Sequence, residues 1–334
     1  MRMSGHKPKL AIVPGMDCSG CDYSLLDLGE AVVDALSSVE LVFWPTATDS
    51  KVSDLRDQPD KGVDIVLYEG AVGNEENLEL ARLARKKAKT LFAFGSCACI
   101  GGVPGLGNVT NSRELIDTAY VMAPSNVNGD KLRPKARTKI DGKELTLPVT
   151  FDTVVPLDQV VHLDYYLPGC PPPLKFSLEA LTATLKGRLP PRGYVFASPK
   201  SLCDECPRKR EGKNEIAMIR RFHEIEPNAD RCLLEQGLVC LGPATRGGCG
   251  GACVETNIPC RGCMGPTPGS IDQGARMLSA IASVLGVKNE AELTDEEVEE
   301  VEEQIEEIKD PLGTFYRFGL PASLLRRVMM KEQV

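Results

Sequence analysis

Between residues 9 and 100 short apolar runs alternate with stretches whose apolar residues recur every three or four positions. "KLAIVPG" is a continuous apolar run, the pattern of a strand covered on both faces. Leu25, Leu28, Val32, Ala35 and Leu36 follow at helical spacing. "VELVFWP" predicts a second strand and "VDIVLYEGAV" a third. Leu80, Leu83 and Ala84 then mark a helix with charges on its other side, and "TLFAFGSCA" predicts a fourth strand. Such alternation predicts an α/β fold with a parallel sheet flanked by helices. The sheet resumes with "VVHLDYYLPGC", and "LKFSLEALTATLKG" reads as the next helix. Open sheets of this kind gather ligands at the carboxyl ends of their strands.

The pattern breaks in two places. Within residues 101–160, "GGVPGLGN" is a loop. "NVNGDKLRPKARTKIDGKE", in the 121–145 region, reads as a basic, hairpin-containing insertion, either a solvated loop or a partner contact. Between 200 and 266 cysteine, glycine and proline dominate, apolar periodicity fades, and only 213–224 predict a helix. A stretch with so little apolar core needs another source of folding energy, and bound metal supplies one. Helical periodicity returns at Ile271, Leu278, Ile281 and Leu285. Thr294 with Glu297 forms a capping box ahead of an acidic helix carrying the stripe Val298, Val301, Ile305 and Ile308. The expected domains are therefore 1–199, 200–266 and a helical extension, 267–334.

Composition narrows the chemistry. A net charge of −8 disfavours nucleic acid as the main partner. No apolar run reaches the roughly 18 residues of a membrane span. The opening "MRMSGHKPKL" has neither an apolar h-region nor a twin arginine, so a cytoplasmic chain without an export signal is expected. Thirteen cysteines in such a setting do not read as a disulfide framework, because the cytosol keeps thiols reduced. With only His6, His162 and His223 beside them, they point to soft thiolate ligation of iron–sulfur clusters or zinc.

The cysteines fall into three sets of four with one left over. Cys18, Cys21, Cys97 and Cys170 follow three predicted strands. Cys203, Cys206, Cys232 and Cys240 come next. Cys249, Cys253, Cys260 and Cys263 close the series, and Cys99 is outside the count. Three such sets can hold three 4Fe-4S clusters. Zinc is conceivable for the third set, whereas the first is scattered through a sheet in a way unusual for structural zinc. A thioredoxin-like redox pair would use only Cys18 and Cys21 and leave the rest unexplained. Cys99 lies two residues past Cys97; in an extended chain both would share a face, making Cys99 a competing ligand.

The segments "DCSGC", "GSCACIGGVPG", "LPGCPPP", "CLLEQGLVCLGPATRGGC" and "PCRGCMGP" together resemble the small subunit of nickel–iron hydrogenases. They are most similar to the cytoplasmic methyl-viologen-reducing, deazaflavin-non-reducing type. The respiratory quinone-reductase subunit that shares "PGCPP" has adjacent cysteines where this chain has C-x2-C, and it lacks the later cysteine-rich region. The resemblance implies a flavodoxin-like first domain holding a proximal cluster on Cys18, Cys21, Cys97 and Cys170. It implies a distal cluster on Cys203, Cys206, Cys232 and Cys240, and a medial one on Cys249, Cys253, Cys260 and Cys263. Where many members carry histidine, glutamate and proline, this chain has Cys203, Asp17 and Cys253; the aspartate fits a turn as readily as a proton-handling role.

The function so implied is electron transfer between the hydrogen-splitting site of a large subunit and an iron–sulfur or flavin partner. The implied partners are that nickel–iron large subunit, a delta-type iron–sulfur subunit and heterodisulfide reductase. Catalytic residues are expected on the large subunit, not here. The rival expectations are an electron-transfer subunit of a non-hydrogenase redox complex and a zinc-binding scaffold.

Overall fold

The computed structural model describes residues 7–27, 29–212, 216, 218–284 and 294–327. It divides into two compact units, Met1–Phe196 with Leu320–Val334, and Ala197–Gly319. The first boundary lies after Phe196. The stretch expected as one extension, 267–334, is shared between the units.

The first unit begins with β1 (Lys9–Pro14), α1 (Gly20–Leu26), α2 (Glu30–Ser37), β2 (Glu40–Phe43), α3 (Val52–Arg56), β3 (Val63–Glu69) and β4 (Val72–Asn74). It continues with α4 (Glu75–Lys87), β5 (Ala88–Phe94), α5 (Gly95–Ile100), α6 (Ser112–Asp117), β6 (Arg137–Ile140), β7 (Lys143–Thr146) and β8 (Thr150–Val155). β9 (Tyr165–Leu167) and α7 (Leu174–Leu185) complete it. Five strands form one parallel sheet in the order β2-β1-β3-β5-β9. This is a flavodoxin-like α/β fold. The chain leaves β1 toward one edge and β3 toward the other, so the crevice at their carboxyl ends is a topological switch point.

Both sheet faces are covered, which is why the strands read as unbroken apolar runs. Ala11, Val13, Val66, Tyr68, Leu91 and Ala93 pack on one side against Leu78, Ala81 and Ala84 of α4. Leu10, Ile65, Phe92, Phe94 and Leu167 face the other, against Leu25, Leu36, Phe176 and Ala180. The alternating parity is the period of two that a strand imposes. α4 is well specified: Asn74 caps it by accepting from the Asn77 amide at 2.8 Å, acids fill its first turn and bases its last. The basic insertion contains the expected hairpin, β6–β7, turned by Asp141 (φ 50°) and Gly142 (φ 78°). Positive φ at both central positions is the primed turn that Asp-Gly favours. Of the predicted α1–α2 stripe, Leu28 lies outside the described residues, as do the side chains of Val32 and Ala35.

The second unit holds α8 (Ala252–Glu255), α9 (Gln273–Val284), α10 (Asp295–Glu306) and α11 (Pro311–Phe315), joined by irregular chain. The helix expected over 213–224 is not found in its described part. Arg220 instead donates its amide to Gly237 at 2.9 Å and pairs with Leu238, so this backbone bonds across the fold and not along itself. Residues 213–215 and 217 lie outside the described residues, as does Leu285. Among the described residues no helix is long and apolar enough to cross a membrane.

Asp164, only 2% exposed, anchors the sheet edge. Its carboxylate accepts from Arg85 at 2.8 Å and from the Leu91 amide at 2.8 Å, with Arg192 at 3.2 Å. Burial alone would raise its pKa. The Arg85 and Leu91 hydrogen bonds outweigh that and hold it below the ordinary 3.8. A depressed carboxylate adds stability above its unfolded pKa and loses it as pH falls through the folded value. Asp164→Ala is expected to cost about 1–3 kcal/mol, because it leaves the buried Leu91 amide without its acceptor and takes one of three partners from the Arg85 guanidinium. Asp164→Asn is expected to flatten the dependence of stability on pH below about 4. Denaturant unfolding across an acid series measures both.

Candidate metal centres

Adjacent strands in the order β1-β3-β5-β9 each deliver one element to the same sheet end. β1 leads into Cys18 and Cys21, β3 ends in Glu69, β5 leads into Cys97 and β9 into Cys170. The connecting loops are tied to each other. Gly15 donates to the Glu69 carbonyl at 2.7 Å, and Met16 and Ala71 exchange hydrogen bonds at 2.8 and 3.0 Å. Ser96 donates to the Gly169 carbonyl at 2.8 Å.

The thiols of this set are within electrostatic reach of one another. Burial first, then Cys170 and Cys18, push Cys97 up to about 12. Burial, then Glu69, Cys97 and Cys170, raise Cys21; burial and Cys18 raise Cys170. Space is left for sulfur by glycine: at Gly95, where φ is +89°, a Cβ would lie 2.4 Å from Cys21 Sγ. Any larger residue would displace that thiol.

Three acids surround the set, two of which sequence reasoning missed. Asp17 Oδ1 accepts from the Ser19 amide at 2.7 Å, the turn-forming role, while its Oδ2 is buried without a hydrogen-bond partner. Asp22 is buried and accepts from Trp44 Nε1 at 2.6 Å. Glu69 is fully buried and neither carboxyl oxygen finds a hydrogen-bond partner. Burial, then the neighbouring Asp22, push it up to about 10. The available signal was a glutamate closing an otherwise apolar strand, "VDIVLYE".

Cys99 behaves differently. Residues 95–100 are helical, so Cys97 and Cys99 point about 200° apart and do not share the face that an extended chain would give them. Cys99 is 5% exposed, packs in the core and donates Sγ–H to the Ala93 carbonyl at 3.4 Å.

In the second unit Cys203, Cys206, Cys232 and Cys240 line one cavity of about 240 Å³, together with Arg208 and Arg210. Burial, partly offset by Arg210, pushes Cys203 up to about 12. Arg210 also reaches Cys232 and Cys206. Arg208, 6% exposed, donates to the carbonyls of Val254, Asn228 and Arg231 and to Asn257 Oδ1. Its clamp ties three separate loops of this unit together. Glu205 Oε1 accepts from the amides of Gly248 and Gly250, tying the first C-x2-C loop to the segment of Cys249.

The last set resolves into two pairs. Cys249 and Cys253 are within reach of each other, as are Cys260 and Cys263. Arg261 is within reach of Cys253 and Cys260. Cys253, at the start of α8, is exposed.

No cysteine is in a disulfide. Among the described residues, no three His, Cys, Asp or Glu side chains converge as they would on one ion. A cubane cluster asks for something else, one thiolate on each of four irons, with the donors standing around the group. Four soft thiols around a cavity, and four at a sheet end with a glycine cleared beside one sulfur, fit that demand.

The family described as NADH ubiquinone oxidoreductase, 20 Kd subunit, matches residues 18–184. The iron–sulfur subunit of the F420-non-reducing hydrogenase of Archaeoglobus profundus is 39% identical over 97% of this chain and 99% of its own length. A subunit of the F420-non-reducing hydrogenase of Methanothermobacter thermautotrophicus is 37% identical over 94% of this chain and 95% of its own length. The NiFeSe hydrogenase structure from Desulfovibrio vulgaris Hildenborough shares the fold at a TM-score of 0.51. It is 18% identical and covers 81% of this chain and 97% of that one.

Cys97→Ala is expected to lose about four irons per chain, the content of one cubane. Cys99→Ala is expected to keep them all and to lower stability by roughly 1 kcal/mol through the small cavity it leaves. Iron analysis and denaturant unfolding of the two variants distinguish ligand from core.

Proposed function

This chain belongs to the family of F420-non-reducing hydrogenase iron–sulfur subunits, and from that premise we propose that it conducts electrons through three 4Fe-4S clusters. It is one subunit of a hydrogenase and carries iron–sulfur clusters; the large subunit is its partner. The observation carrying the reading is the pairing of a full-length family match with cysteines grouped at a strand-end crevice and in the second unit.

In this reading Cys18, Cys21, Cys97 and Cys170 hold the proximal cluster. Cys249, Cys253, Cys260 and Cys263 hold the medial one, and Cys203, Cys206, Cys232 and Cys240 the distal one. The domains follow: a flavodoxin-like domain for the proximal cluster, and a metal-supported domain for the other two. The clusters supply one-electron redox chemistry. The residues of this chain hold the sulfurs, exclude water from them and set their electrostatic surroundings. Negative charge on Asp17 and Asp22 beside Cys18 and Cys21 disfavours added electrons, and Arg210 and Arg261 in the second unit favour them. That ordering suits flow away from the hydrogen-splitting site.

The onward partners in this reading are a delta-type iron–sulfur subunit and heterodisulfide reductase, in the cytoplasm. A quinone-reductase-type subunit accounts for residues 18–184 alone, whereas the hydrogenase relatives extend through the second unit as well.

Anaerobically purified protein is expected to contain about twelve irons per chain. Nickel should appear only when the large subunit co-purifies, and the complex should reduce viologen with hydrogen. Stoichiometric zinc with little iron would sink the reading. Cys253→Pro is expected to convert the medial site to 3Fe-4S, visible by electron paramagnetic resonance of the oxidised protein. A full iron count without that signal would remove Cys253 from the ligand set.

A further inference from the structure

Two of the three cysteine sets touch through the backbone. The amide of Cys260 donates to Cys240 Sγ at 3.3 Å, and the amide of Leu241 donates to the Cys260 carbonyl at 3.0 Å. Both cysteines are buried. A thiol of the distal set is thus hydrogen-bonded to the main chain of a residue in the medial set.

Arg261 sits at this junction. It lies inside the C-x2-C of Cys260 and Cys263 and lines a cavity with Leu238, Val239 and Pro259, the residues leading into Cys240 and Cys260, while Glu307 and Asp310 line the same cavity. It is within electrostatic reach of Cys240, Cys260 and Cys253, with Arg317 also close by. A guanidinium keeps its charge at all working pH. Arg210 is placed otherwise: it lines the distal cavity and reaches Cys203, Cys206 and Cys232.

We propose that Arg261 puts one fixed positive charge at the junction of the two sets and raises the reduction potentials of both clusters together, holding the step between them near level. A charge beside one cluster alone would tilt that step; a shared one shifts both ends. The step is a single electron leaving one cluster and entering the other, with no bond made or broken and no proton moved. Arg261 acts here as a positioning residue, through the clusters' surroundings. The amide donated to Cys240 works in the same direction, since hydrogen bonds to cluster sulfurs favour the reduced state.

The inference rests on the reading that these eight cysteines hold two clusters. The iron count of the unsubstituted protein tests that reading separately: about four irons per chain would end it before any variant is made.

The test is a potential titration of the anaerobically purified complex, followed by electron paramagnetic resonance. In Arg261→Gln, both second-unit clusters are expected to move to lower potential. Each should show about a tenfold change in its oxidised-to-reduced ratio at fixed ambient potential, about 59 mV for a one-electron couple. The proximal cluster should stay where it is. Arg261→Lys should keep both near their original values, and Arg210→Gln should move the distal cluster alone. A shift in only one second-unit cluster of Arg261→Gln, or in neither, overturns the proposal. Should Arg261→Gln shed iron, loss from both sets with retention in Arg261→Lys supports it. Loss from the medial set alone, or equal loss in Arg261→Lys, overturns it.

Discussion

The loops after β1 and β3 are hydrogen-bonded to each other through Gly15, Met16, Glu69 and Ala71, and those after β5 and β9 through Ser96 and Gly169. Everything chemical in the first unit hangs on these few main-chain bonds. Strand ends in a parallel sheet stand about 4.8 Å apart, and loops leaving them are free to diverge. Here they are held together, so residues distant in sequence present sulfur to one place. Bringing thiols out of water beside one another is unfavourable, as their raised pKa values record. The rigid sheet bears that cost, and cluster iron would relieve it by replacing the protons.

The second unit solves the same problem without a sheet. Its polar clamps, Arg208 on the carbonyls of Val254, Asn228 and Arg231 and Glu205 on the Gly248 and Gly250 amides, are themselves built from charged side chains. Gln273 adds a third, donating to Thr245 Oγ1 and the Gly262 carbonyl. Buried charge of this kind holds geometry better than it supplies stability. The unit's buried apolar residues, among them Leu202, Leu241, Val254 and Met264, are held between these clamps.

The sheet was legible in the sequence because continuous apolar runs have few other solutions when both faces are covered. The hairpin was legible because Asp-Gly meets a specific backbone demand. The relation of Cys99 to Cys97 was misjudged because β5 stops at Phe94 and the chain turns helical at Gly95. Nothing in the run "TLFAFGSCA" marks that switch except the glycine. The helix expected near 213–224 failed for a related reason. Its apolar spacing is real, but Arg220 finds a partner segment at Gly237 and Leu238 that local periodicity cannot foresee. The cysteine sets could be proposed from spacing and resemblance. The acids and arginines around them could not, because their placement depends on which loops are bonded to which.

The first unit is closed by chain that follows the second. Pro321 packs so closely on Gly101 and Gly105 that a Cβ on either would fall within 2.3 Å of its ring. Arg327 donates to the carbonyls of Thr110 and Asp152. The ribosome must therefore translate all of residues 197–319 before the Gly101–Gly105 turn beside Cys97 acquires its cover. Completion of the polypeptide is thus the latch on that turn.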